Sequence, residues 1–304
     1  WRGARFRPSF RFRPQEVRDL LGFSLGSLGV RAVNFFHRRS DDMLIGWRLG
    51  SGPLGFYSVA YRLMRLFDDM VSKVLLNVAF PMYALVQDDR GRMRTAYLRS
   101  CSLASATLFP AFSILAVMAH ELIVVCFGDR WQPSVLPMRF LAVVGMVHGI
   151  QLFSGAVLKA MGRIRIVFWF VTIVTAANVI GFFVTSTRGI SYVAAGYLVT
   201  TLAVTPLWPL KACRELDLPL RRWLGATTPP LAACVVLALT CVAVRRVLDG
   251  QPDLVVLLAG CAAGAAAYLA SLGVLAPEVF RDVRGIAVDL GAAKLGRLAR
   301  RRRS

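Results

Sequence analysis

Six stretches of the chain contain no Asp, Glu, Lys or Arg and are each long enough to cross a bilayer: 101–119, 140–158, 166–187, 189–210, 223–244 and 254–277. A helix rises about 1.5 Å per residue, so about 20 apolar residues cover the ~30 Å of hydrocarbon. A water-soluble domain has no use for six such runs, and they predict six transmembrane helices. Two further segments, 19–49 and 54–86, are apolar but carry internal charges. Read as spans as well, they bring the expected architecture to an all-α integral membrane fold of about eight helices. Composition agrees: 56% of the 304 residues are hydrophobic and mean hydropathy is +0.57. That excludes a disordered chain, which requires low hydropathy. Six cysteines are too few for a disulfide scaffold of this length.

The net charge of +20 is accounted for by topology. Lys and Arg concentrate in one alternate set of connections: Arg2 to Arg18, Arg90 to Arg99, Lys159 to Arg165, Lys211 to Arg222, and a tail from Arg281 to Arg303. The other set holds only Arg38, Arg39, Arg48, Arg130, Arg188, Arg245 and Arg246. Positive charge stays on the cytoplasmic side, so both termini are expected there. An even number of spans is consistent with that, and no nucleic-acid partner is needed to explain the charge. The chain opens on Trp1 within a basic segment that reads as a linker, and residues upstream of it are expected. The tail 278–304 reads as a basic amphipathic segment. Val279, Val283, Ile286, Leu290 and Leu298 would form its apolar stripe; a solvated tail that only fixes topology is the alternative.

Arg31, Arg62, Arg65, Lys73 and Arg139 fall within predicted spans. A Lys or Arg at a helix centre costs about 2.5–3.5 kcal/mol on the insertion scale. These side chains should therefore face water, one another or an anionic ligand. Arg62, Arg65, Asp69, Lys73 and Asn77 step by three or four residues and share one helix face. Arg31, Asn34, Arg38 and Asp42 do the same on the preceding helix, with His37 at its border. Two polar stripes on adjacent helices predict a shared aqueous cavity of net positive wall charge, suited to a phosphate. Arg31, Arg38, Arg62, Arg65, Lys73, Asn34 and Asn77 are the candidate substrate residues. Asp42, Asp69 and His37 are the candidate ion-coupling groups. The alternative is that the charges are salt bridges holding the bundle together. His148 lies mid-span, as a proton relay or an inert hydrogen-bonded ring. Neither a C-x-x-C nor an H-E-x-x-H pattern occurs, so no metal site or cofactor is expected. No P-loop pattern occurs, and no enzymatic chemistry is expected. The cysteines read as small apolar residues.

Residues 38–97 resemble the polysaccharide transporter family of the multidrug/oligosaccharidyl-lipid/polysaccharide exporter superfamily, of the lipopolysaccharide, O-antigen and teichuronic-acid type. The carrying residues are Asp42, Leu44-Ile45-Gly46, Leu49-Gly50, Leu54-Gly55, Tyr57, Ala60, Phe80-Pro81 and Gln87-Asp88. A second block holds Phe127-Gly128, Trp131, Pro133 and Ala160-Met161-Gly162-Arg163. Asp68-Asp69 departs from the family's more apolar pattern. The resemblance implies that residues 19–215 are the second six-helix lobe of such a flippase. Residues 1–18 would be the cytoplasmic inter-lobe linker and 216–277 two additional spans. It also implies alternating-access flipping of an undecaprenyl-pyrophosphate-linked oligosaccharide for surface or exopolysaccharide synthesis. The implied partners are that lipid, bilayer lipids, an N-terminal lobe, and glycosyltransferases or a polymerase of the same pathway. A drug/cation antiporter of the same superfamily is an alternative and predicts an acidic cavity. A membrane-bound polysaccharide-assembly enzyme is another, and it predicts a large extramembrane loop.

Overall fold

The structure is a computed structural model in which residues 35, 39–86 and 88–285 are described. Every regular element among them is helical. In chain order these are α1 (39–49), α2 (Ser51–Leu85), α3 (Arg90–Val117), α4 (Ala119–Phe127), a 3-10 turn (Asp129–Ser134), α5 (Val135–Ala160), α6 (Ile164–Thr185), α7 (Ile190–Val204), α8 (Leu207–Glu215), α9 (Leu220–Val247) and α10 (Asp253–Leu275), followed by α11 (277–285). Six helical segments are long and apolar enough to span a membrane: Arg90–Val117, Asp129–Ala160, Ile164–Thr185, Ile190–Glu215, Leu220–Val247 and Asp253–Leu275. They coincide with the six charge-free runs. The expected span 54–86 is the single 35-residue helix α2, unbroken through Asp68-Asp69. At about 1.5 Å per residue it is longer than a bilayer core is thick. Most of the expected span 19–49 lies outside the described residues.

α5 is the hub, packing against α2, α3, α7 and α8. In α3 and α5, 61% and 67% of the apolar window is buried, against 22% in α10 and 28% in α6. The bundle thus has two central helices, while peripheral ones turn Trp169, Ile173, Ile180, Val199, Leu239 and Leu258 outward, as lipid contact requires. α9 and α10 pack on each other and on α3, building a second apolar cluster of Ala106, Phe109, Met118, Leu237, Cys241 and Leu272. The Tyr268 hydroxyl donates to the Ala106 carbonyl at 2.8 Å and ties α10 to α3. Val279, Phe280 and Val283 of α11 pack on this cluster, so the start of the tail rests on the bundle. Ile286, Leu290 and Leu298 lie outside the described residues.

The small-residue pairs separate into two roles. Gly260 and Gly264 do permit close approach: a Cβ there would come within 2.6 Å of Met118 Cε and Cys241 Sγ respectively. Gly46 faces Leu54. Gly50 supplies the turn between α1 and α2 with φ +86°, a conformation that favours glycine. Pro110, Pro137, Pro229 and Pro230 lie inside spanning helices. Pro206 marks the break between α7 and α8 inside the single spanning segment Ile190–Glu215, because its ring leaves the preceding turn without a donor.

Contacts group the connections into the two sets expected from charge. At one end Arg163 and Lys211 share Glu215 at 3.0 and 2.8 Å. Arg90 meets Asp217 at 2.6 Å and Arg99 meets Asp282 at 2.8 Å. At the other end Arg48 donates to the Phe183 carbonyl at 2.7 Å and to Ser186 Oγ at 3.0 Å. There too, Arg245 holds the buried Glu121 at 2.9 Å. α1 is fastened back onto α2 by the buried Tyr57, whose hydroxyl donates to Asp41 Oδ2 at 3.1 Å.

Two stability outcomes follow from this packing. A Cβ on Gly145 would sit 2.4 Å from the fully buried Phe112 ring. Gly145→Ala is therefore expected to destabilise by about 1–3 kcal/mol, read as a lower melting temperature in detergent, while Gly225→Ala, which meets nothing within 4 Å, leaves it unchanged. Asp41→Leu strands the Tyr57 hydroxyl and should cost about 1–3 kcal/mol. Asp41→Asn, which keeps an acceptor, should melt near the parent value; equal losses for the two variants would exclude the hydrogen bond as the cause.

Candidate functional site: a polar cavity along α2

α2 carries its charges at helical spacing, and the groove between α2, α5, α6, α7 and α8 encloses a cavity of about 680 Å³. From α2 it receives Tyr61, Arg65, Asp68, Asp69, Ser72 and Asn77; from α5, His148, Gln151 and Lys159; from α7 and α8, Tyr197 and Trp208. A second cavity of about 460 Å³ lies between α1 and α2, lined by Arg39, Asp42, Ser58, Tyr61, Arg62, Arg65 and Asp69. Tyr61, Arg65 and Asp69 line both, so the two are neighbours across one strip of α2.

Aromatic packing fixes the walls. His148 meets Tyr197 edge-on, with ring centroids 5.7 Å apart, and Tyr197 is braced by Phe182 at 5.3 Å. Trp208 lies against Phe170 at 5.1 Å. A Cβ on Gly155 would come within 3.3 Å of that indole. The Arg65 guanidinium stands 5.9 Å from the Tyr61 ring centroid, within cation–π range. Ser72 donates to Asp68 at 2.8 Å, and Arg39 pairs with Asp42 at 3.0 Å.

The α2 stripe is realised in Arg62, Arg65, Asp69 and Asn77, all on cavity walls. Lys73 lies on α2, and its side chain is outside the description. Of the preceding stripe Asp42 is present on the second cavity, while Arg31, Asn34, His37 and Arg38 lie outside the described residues. On the walls that are described, acids stand beside the cations. The larger cavity holds Arg65 and Lys159 against Asp68 and Asp69; the smaller holds Arg39, Arg62 and Arg65 against Asp42 and Asp69. Acids accompany the cations because the cavity wraps around α2 far enough to take in Asp68, one residue off the stripe. Lys159, Gln151, Tyr197 and Trp208 were not singled out from sequence. They come from remote segments, and Lys159 counted only towards topology. Asp41, the buried carboxylate beside the candidate Asp42, was also missed; its signal would have been the apolar face it shares with Ile45 at i+4. Among the described residues no group of three or more His, Cys, Asp or Glu side chains is arranged to hold a metal ion.

Comparison with known proteins places this geometry. Residues 1–136 match the family described as "Polysaccharide biosynthesis protein". The teichuronic acid biosynthesis protein TuaB of Bacillus subtilis (strain 168) is 27% identical over 165 residues, 54% of this chain and 34% of that protein. The lipopolysaccharide biosynthesis protein WzxC of Escherichia coli (strain K12) is 26% identical over the same length and shares of each chain. The succinoglycan biosynthesis transport protein ExoT of Rhizobium meliloti (strain 1021) is 27% identical over 272 residues, 87% of this chain and 54% of that one. In fold, the chain matches the solved structure titled "Lipid II flippase MurJ, inward closed conformation" with a TM-score of 0.70, at 14% identity, over 90% of this chain and 57% of that one. The chain thus spans between about a third and a little over half of the proteins it matches. It is a multi-pass membrane protein whose helical fold is like that of the solved flippase, and by sequence it is similar, over part of its length, to proteins named for teichuronic acid and lipopolysaccharide biosynthesis and for succinoglycan transport.

Proposed function

We propose that the protein contributes one wall of a cavity through which a lipid-linked oligosaccharide pyrophosphate is flipped across the bacterial cytoplasmic membrane, by alternating access, for cell-surface or exopolysaccharide synthesis. The observation that carries this reading is a polar cavity of about 680 Å³ between helices whose outer faces are apolar. A pyrophosphate bearing sugars cannot enter hydrocarbon unaided. A water-filled groove with fixed cations removes that barrier, while the carrier's polyprenyl tail stays among lipid. Arg65 and Lys159 supply the compensating charge. Tyr61 and Trp208 offer aromatic faces, and Gln151 and Asn77 amide groups, of the kind that sugars bind. The named roles of the relatives, in teichuronic acid, lipopolysaccharide and succinoglycan biosynthesis, support the substrate class.

In this reading residues 19–215 act as one six-helix lobe against a counterpart lobe, with 216–277 as two added spans. The Lys159 end faces the cytoplasm, by the bias of Lys and Arg to that end. Asp69, shared by both cavities, is where a coupling cation would act. The Asp68-Asp69 pair also gives the antiporter alternative a foothold, since a cationic drug would seek those carboxylates.

Titration with geranylgeranyl pyrophosphate, followed by intrinsic tryptophan fluorescence through Trp208, tests the assignment. Arg65→Gln and Lys159→Gln should each weaken binding about tenfold, the loss expected of one charge-assisted hydrogen bond, and Asp69→Asn should leave it equal or tighter. Binding of ethidium in place of the pyrophosphate, abolished by Asp69→Asn, would decide for the antiporter. In cells, the same two cation variants should raise the pool of lipid-linked oligosaccharide retained inside.

A further inference from the structure

Arg139 sits in the second turn of α5, and its Nε is buried with no hydrogen-bond partner among the described residues. Such a nitrogen is costly to bury unpaired. Arg139 lines a cavity of about 580 Å³ with Val117, Arg245, Arg246 and Asp249, at the end of the bundle opposite Lys159. Two carboxylates stand by these three guanidinium groups. Glu121 is buried and held by Arg245 Nε at 2.9 Å; Asp249 is on the cavity wall. One unit of positive charge is left over. Arg245 and Arg246, in the last turn of α9, are also favoured there by the helix dipole, but that argument does not reach Arg139.

We propose that Arg139, Arg245 and Arg246 form an anion site for a phosphate group, separate from the cavity along α2. All three lie near helix ends, the depth of lipid headgroups, and Val242 on the same cavity is exposed. The ligand chemistry is a phosphate mono- or diester oxygen pair accepting from guanidinium forks. A phospholipid headgroup and free phosphate share that chemistry.

The test uses the full chain in nanodiscs of phosphatidylcholine alone, of phosphatidylcholine with phosphatidylglycerol, and of phosphatidylcholine with added inorganic phosphate. Thermal unfolding and lipid retention by native mass spectrometry are read for each. Retention of phosphatidylglycerol with a raised melting temperature, weakened about tenfold in Arg139→Gln and in Arg246→Gln, supports the site with a lipid headgroup as ligand. The same gain from inorganic phosphate, lost in the same variants, supports it with a free anion. A parent protein that responds to neither probe overturns the proposal without recourse to any variant. So does a response to either probe that survives intact in both variants.

Discussion

A guanidinium group carried on an apolar helix has to be turned away from hydrocarbon, and much of the arrangement here follows from how that is done for each one. Arg48 is laid over the Phe183 ring at 3.9 Å and capped by the Phe183 carbonyl, near the C-terminus of α6 where carbonyls lack helical partners. Arg62 and Arg65 are too far along α2 to reach an end. Their face of the helix is accommodated between helices, and the cavity along α2 is the space that results. Placing that face against α5, α7 and α8 brings Lys159, His148 and Trp208 to it.

The two cavities along α2 share a strip of Tyr61, Arg65 and Asp69 that carries both signs of charge. Arg39 is paired with Asp42 on one of these walls, and Asp68 and Asp69 line the larger cavity with Arg65 and Lys159. A small shift of α1 or α5 against α2 would change which of these side chains are within reach of one another. Gly50 provides the joint between α1 and α2, while the Tyr57–Asp41 hydrogen bond holds the two together. α3 and α5, locked by the approach of Gly145 and Gly149 to Phe112 and Leu108, are the fixed frame against which such a shift would occur.

Spans were legible wherever apolar length alone decides, because crossing a bilayer imposes a minimum run that local sequence either has or lacks. The α2 stripe was legible for the same local reason, as helical spacing puts Arg62, Arg65 and Asp69 on one face whatever surrounds them. Asp68, Gln151 and Trp208 were not readable as cavity groups. Their membership depends on how far the groove wraps around α2 and on which turns of α5 and α8 meet it. Pro206 lies within the apolar segment Ile190–Glu215, and the break it makes there between α7 and α8 follows from its missing N–H.

The sequence by itself determined a multi-span helical membrane chain, the segregation of its charge between two ends, and a charged face on α2, because these follow from hydrocarbon thickness, the bias of Lys and Arg, and the helical repeat. Only the tertiary structure decided which remote side chains complete that face, that Asp68 joins its wall, that Asp41 rather than Asp42 is buried, and that Arg139 lines a cavity with Arg245 and Arg246. Each of those depends on how helices distant in sequence cross, and crossing geometry is set by close packing at positions such as Gly145, Gly155 and Gly264, where a single methyl group would change it.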